Sequence, residues 1–187
     1  MTTILGISGS LRRDSHNTSL LRAAAEAAGP DVELELFDGL KEIPPYDEDD
    51  DVHPRPASVA RLAAAIEDAE AVLFSTPEYN SSIPGQLKNA IDWISRPVAT
   101  NVLRNKPVAV VGASTGAFGA VWAQAELRKV LAALGARVLD VEVPVPHAHT
   151  RFEDGRLTDE EIRLSLLEAV ESLAAEVRVR ERLEALA

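Results

Sequence analysis

Five apolar runs, set apart by amphipathic stretches of helical length, dictate what this chain can become. The segments TTILGIS (2–8), AVLFST (71–76), PVAVVGA (107–113) and ARVLDVEV (136–143) are almost continuously apolar, the pattern of strands covered on both faces. DVELELF (31–37) alternates apolar and acidic residues instead and fits a sheet edge. Between the runs, Leu20, Leu21, Ala24, Ala25 and Ala28 form one helical stripe that Gly29-Pro30 ends. Further helices are predicted over 56–68, 84–95, 119–134 and 158–180. Strict β-α alternation requires right-handed crossovers, and therefore a parallel sheet clad on both sides. The fold class is α/β, a doubly wound five-stranded parallel sheet.

At 187 residues and 46% hydrophobic content, the chain can bury roughly 70% of its unfolded surface in one core, so residues 1–187 are expected to form a single domain. It contains no cysteine, which removes disulfides, thiolate catalysis and Cys-based metal sites. MTTILGISGS has no basic region leading into a long apolar core, and no segment reaches the roughly 18 apolar residues of a membrane span. A soluble, cytoplasmic protein is expected. The net charge of −11 disfavours nucleic-acid partners but permits a small phosphate where basic groups are concentrated.

In doubly wound sheets ligands lie beyond the carboxyl ends of the strands, so the turns there carry the functional information. The first, SGSLRRDSHNTS, has more hydrogen-bonding groups than a turn requires. Ser15 or Asn17 can cap the following helix, whose positive end favours an anion, and Arg12 or Arg13 can clamp it. The turn lacks G-x-x-x-x-G-K-[ST], and Gly6 and Gly9 do not make G-x-G-x-x-G, so neither a P-loop nor a dinucleotide fingerprint is present. The third strand runs into STPEYNSSIPGQLKNAIDW, a short polar loop braced by Pro77 and Pro84, with Tyr79 offering a flat face. The fourth runs into ASTGAFGA, where glycines allow close backbone approach and Ser114 or Thr115 can bond a ligand edge. Each turn alone can also be read as an ordinary connection, the first least readily. Together, on one side of one sheet, they describe a phosphate cradle and two loops able to flank a planar ring.

Over nearly its whole length, and through GSLRRDSHN, PEYNSSIPGQLKNAIDW and the glycine-rich turn, the chain resembles the NAD(P)H-dependent FMN reductases. That flavodoxin-like family includes quinone, chromate and azo-dye reductases. The resemblance implies the strand order 2-1-3-4-5, bound FMN, NADPH or NADH as co-substrate, a small-molecule electron acceptor and a homodimer or homotetramer. It implies phosphate contacts from Ser10, Leu11, Arg12, Ser15, His16 and Asn17. It places Pro77, Glu78, Tyr79 and Asn80 beside the isoalloxazine ring, with Ala113, Ser114, Thr115 and Gly116 completing the pocket. The flavin supplies the redox chemistry in such enzymes, so no catalytic side chain is expected and Glu78 is read as orienting its loop. The competing readings are a flavodoxin-type electron carrier, whose phosphate loop lacks this arginine pattern, and a flavin-free NAD(P)-binding regulatory domain.

Other features are read more plainly. YDEDDD (46–51), within an irregular connection over 38–55, is a solvated acidic loop. His147 and His149 lack a third ligand and are read as surface residues rather than a metal site. Trp93 falls beside its helix's core stripe, and with Trp122 is assigned to a protein contact. The charged stretch 170–187 is read as a solvated helix face.

Overall fold

In the computed structural model, which describes residues 1–185, four strands form the body of a parallel sheet: β1 (Thr2–Ser8), β2 (Val32–Phe37), β3 (Ala71–Thr76) and β4 (Pro107–Ala113). The order is β2-β1-β3-β4, and β4 is followed outward by β5 (Arg137–Val138) and β6 (Pro144–Val145), both parallel to it. The 2-1-3-4-5 order expected of a flavodoxin-like sheet is therefore present. β3 and β4 are buried at every residue, which is why their sequences are continuously apolar, whereas β2 pairs only with β1 and exposes alternate residues.

Successive strand residues feed two separate cores. Leu5, Ile7, Phe74 and Val110 face α2 (Ala57–Asp68), α3 (Gly85–Ile94) and α4 (Val121–Ala133). Ile4, Leu73 and Val111 face α1 (His16–Ala27) and α5 (Glu160–Glu184) on the opposite side. A short antiparallel pair, β7 (Phe152–Glu153) with β8 (Arg156–Leu157), precedes α5. No helix among the described residues is long and apolar enough to cross a membrane.

The structure corrects four sequence-based expectations. The fifth strand is not continuous over 136–143. Val138 pairs with Val108 and Pro144 with Gly112, so five residues on the edge oppose three on β4 and two must loop outward. Arg128 of α4 holds that bulge, donating to the Val141 carbonyl at 2.9 Å and pairing with Glu142. Helix α4 begins at Val121 rather than 119 because Gly119 and Ala120 are both left-handed, with φ of 60° and 62°. A Cβ on Gly119 would also lie 2.6 Å from the Val145 nitrogen, so only glycine fits there.

Trp93 is not at a surface contact: it is fully buried. The 38–55 connection folds over α3, the Trp93 indole donates to the Pro44 carbonyl at 2.9 Å, and Tyr46 meets its ring edge-on at 5.0 Å. The C-terminal stretch is not only a solvated face, since Val170, Leu173 and Val177 of α5 are buried against the sheet. Residues 186–187 of that stretch lie outside the described residues. The acidic run has only 3-10 structure, at Glu48–Asp50, and is largely exposed, with Asp51 paired to Arg55 at 2.8 Å.

Candidate functional site

Three turns meet at the carboxyl end of the sheet because β1, β3 and β4 are adjacent and in register there, Ser8 opposite Ser75 and Thr76 opposite Gly112. The chain must cross closely at this point. A Cβ on Gly112 would stand 2.7 Å from the Thr76 carbonyl oxygen.

The first turn is fixed from within. Ser15 is the N-cap of α1, its hydroxyl accepting from the Thr18 N–H at 3.3 Å. The Thr18 hydroxyl is 3.0 Å from Ser8 Oγ, and the Arg12 N–H donates to Ser10 Oγ at 3.5 Å. As first-turn residues, His16 and Asn17 carry N–H groups without an intrahelical acceptor, at the positive end of the helix dipole. Arg12 is exposed, and its guanidinium reaches only the Asp14 carbonyl, at 3.3 Å, among the described hydrogen bonds. Burial, followed by the nearby Arg12 and His149, holds the His16 imidazole below its ordinary range, so the ring is neutral near pH 7.

Asn17 does something the sequence did not disclose. Its side chain is buried, its Nδ2 donates to the Ala113 carbonyl, and its Oδ1 accepts from the Ala113 N–H, both at 2.9 Å. Ser75 Oγ donates to the same Oδ1 at 2.9 Å. Gly112 and Ser114 turn their N–H groups toward the outer edge, to Val143 and Val145, so the backbone of Ala113 faces inward where β3 has already ended. The Asn17 amide takes the place of the missing strand residue. Its side chain is thus committed to joining α1 to β4, and only its backbone N–H remains for a ligand. The signal for this role is Ser75, a hydroxyl inside a wholly buried strand that requires a partner.

The second turn is held by Glu78, whose Oε2 accepts from the N–H groups of Trp122 and Ala123 at 3.1 and 3.2 Å. The carboxylate therefore caps α4 and ties the second turn to it. Beyond it, Tyr79 and Ser82 exchange backbone hydrogen bonds of 3.0 and 3.1 Å around Asn80 and Ser81, both left-handed at φ 53° and 61°. This is a two-residue hairpin turn of the primed type, which leaves Tyr79 about half exposed at 49%.

These turns enclose a cavity of about 130 Å³. Ser10, Arg12, Ser15, His16 and Asn17 line one side. Pro77, Glu78 and Tyr79 line a second, and Ala113, Ser114 and Thr115 a third. Leu11, Asn80 and Gly116 are outside the lining: Leu11 opens into a neighbouring cavity, Asn80 is at the hairpin tip, and the Gly116 carbonyl accepts from the His147 N–H at 2.9 Å. His147 and His149 are exposed with ring centroids 6.4 Å apart, and no group of three or more His, Cys, Asp or Glu among the described residues is placed to hold a metal. The exposed Phe118 was not anticipated. Its ring meets exposed Trp122 edge-on at 4.9 Å.

The donor set fits a flavin mononucleotide. A guanidinium with no carboxylate partner among the described residues, two hydroxyls and the first turn of a helix line one side of the cavity, a donor set suited to a phosphate, and two loops flank the space beside it.

Comparison with known proteins gives the same direction. The chain is 42% identical over 177 residues to an NAD(P)H-dependent FMN reductase of Pseudomonas aeruginosa, covering 94% of this chain and 95% of that protein. It is 39% identical to a 2-hydroxy-1,4-benzoquinone reductase of a Burkholderia species, covering 92% and 94%. The solved structure of FerB, a flavoenzyme NAD(P)H:(acceptor) oxidoreductase from Paracoccus denitrificans, superposes with a TM-score of 0.82 at 36% identity, covering 95% and 98% of the two chains. With residues 2–150 also matching the family as a whole, the chain belongs to the NADPH-dependent FMN reductases.

Proposed function

We propose that the cavity at the carboxyl end of the sheet holds FMN, with its phosphate on the first turn and its ring between the other two. The chain is an FMN-dependent oxidoreductase that takes electrons from NAD(P)H and reduces quinone-type small molecules, as its family and relatives support. The observation that carries the site assignment is Arg12, a cation without a carboxylate partner among the described ion pairs, set beside a capped helix start in a protein of net charge −11.

When bound, FMN supplies hydride acceptance from a nicotinamide and electron delivery to an acceptor. The protein's own work is binding and orientation. Arg12 neutralises the phosphate, Ser10 and Ser15 with the first-turn N–H groups bind its oxygens, and Ser114 and Thr115 offer hydroxyls to the ring edge. Glu78 is occupied as a helix cap and moves no proton.

Protein reconstituted with FMN should oxidise NADPH or NADH on addition of a quinone, giving parallel double-reciprocal plots, because one open site serves donor and acceptor in turn. Intersecting lines with a ternary complex would require separate sites. Failure to oxidise either nucleotide would leave the electron-carrier reading.

The whole chain acts as one domain, since α5 beyond the matched residues still buries Leu166, Val170 and Leu173 on the sheet. Its place of action is the cytoplasm, consistent with the absence of cysteine. The working form is a homo-oligomer, most simply a two-fold dimer. The support for it moves from Trp93 to Phe118 and Trp122, which are 61% and 48% exposed beside the site. Trp122→Glu should shift the sedimenting mass toward the monomer; an unchanged mass, or a monomeric wild type, rejects this contact.

A further inference from the structure

Both loops that flank the cavity are fastened to the first turns of α4. That helix cannot cap itself, because its N-cap residue is Ala120, which has no side-chain oxygen. Glu78 of the second turn supplies the cap, and the Ser82 hydroxyl at the end of the hairpin donates to Glu126 Oε2 at 2.5 Å. The third turn is fastened differently. It enters α4 through left-handed Gly119 and Ala120, and a left-handed alanine persists only where its surroundings hold it. The Gln124 side chain does so, its Nε2 donating to the Gly119 carbonyl at 2.9 Å while its backbone N–H donates to the Ala120 carbonyl at 3.0 Å. Gln124 and Ala120 are each only 1% exposed.

Stability alone does not account for a glutamine here. Its Oε1 is buried and has no hydrogen-bond partner among the described residues, and turning the amide over would set that oxygen against the Gly119 carbonyl. A methionine has similar reach and would leave no strong acceptor unpaired. What the amide alone provides is the donor to Gly119. We infer that Gln124 is a positioning residue for flavin binding, which locks the Gly119-Ala120 turn and so holds Ser114 and Thr115 on the cavity wall, at a fixed separation from the loop that Glu78 and Ser82 mount on the same helix. The inference rests on the FMN reading above. Ser114 and Thr115 line the cavity and Gln124 does not, so its effect passes through the turn. The outer side of that turn is already tied, the Ser114 and Gly116 carbonyls accepting from the N–H groups of Ala148 and His147 at 3.0 and 2.9 Å. Gln124 fixes the end that remains. Close packing there leaves the amide no other place: a Cβ on Gly112 would lie 3.0 Å from Gln124 Nε2, and one on Gly119 2.6 Å from the Val145 nitrogen.

The test is Gln124→Met, studied first without flavin. Loss of the donor to Gly119 and loss of the unpaired acceptor offset each other, so its melting temperature should stay within about 4 °C of the wild type. Its affinities for riboflavin and FMN, read by flavin fluorescence quenching, should fall together by about threefold to tenfold, because the phosphate contacts are untouched. Adding Ala120→Gly should restore much of that loss, since glycine adopts the left-handed conformation without the lock. A flavin-free variant that melts far below the wild type would make Gln124 a core residue only and overturns the inference. So does a loss confined to FMN, an unchanged affinity for both flavins, or a double variant that binds no better than Gln124→Met. A wild type that binds neither riboflavin nor FMN overturns the flavin reading itself.

Discussion

Asn17→Ala is expected to destabilise the protein by about 3 to 5 kcal/mol, because each buried group left without a partner costs about 1 to 3 kcal/mol. Three are abandoned at once: the N–H and carbonyl of Ala113 and the hydroxyl of Ser75. For a chain of this size the melting temperature should fall by roughly 6 to 20 °C. Urea unfolding would show the midpoint displaced at an unchanged slope. Asn17→Asp is the informative companion. It preserves the acceptor for Ala113 N–H and Ser75, but replaces the donor to the Ala113 carbonyl with an oxygen facing an oxygen, so it too should be unstable. If Asn17→Ala instead unfolds like the wild type and only loses FMN, the side chain acts on the ligand and its bridging role is wrong.

Arg12→Ala should have the largest effect on the ligand. Losing a hydrogen bond to a charged group costs about 1.5 to 3 kcal/mol, which is roughly a tenfold to hundredfold loss of FMN affinity. Arg12 is exposed and its side chain makes one hydrogen bond, to the Asp14 carbonyl, among the described residues, so its removal should leave stability nearly unchanged. Riboflavin, which has no phosphate, should bind variant and wild type alike, and excess FMN should restore turnover. Flavin fluorescence quenching measures both affinities. Arg13→Ala, the control, should retain FMN; the reverse outcome would exchange the two arginines, and no effect from either would end the phosphate-cradle reading.

The contrast between these neighbours shows what a sequence can disclose. The grouping of a cap, two hydroxyls and a cation was legible because all of them lie within one turn. The fully buried β3 and β4 were legible because burial on both faces removes every polar position but a few. Asn17 was read as one more phosphate ligand because its partners lie 58 and 96 residues away in the sequence. Trp93 was misread for a similar reason: a helical stripe gives the angle of a side chain but not the proline-rich connection that covers it. The fifth strand failed at a register, since nothing within ARVLDVEV announces that it carries two residues more than β4 can pair.

That bulge also bears on how the protein behaves when it is concentrated. A parallel sheet has two open margins, and an uninterrupted outer strand presents a template for another chain to zip onto. Here one margin is cut into two-residue pieces with Arg128 clamped across the gap, and Pro144 supplies no N–H. The other margin, β2, turns Glu33 and Glu35 outward. Both sides of the sheet therefore resist fibrous self-assembly, which leaves surfaces away from the sheet's margins as the places where copies can meet without running on.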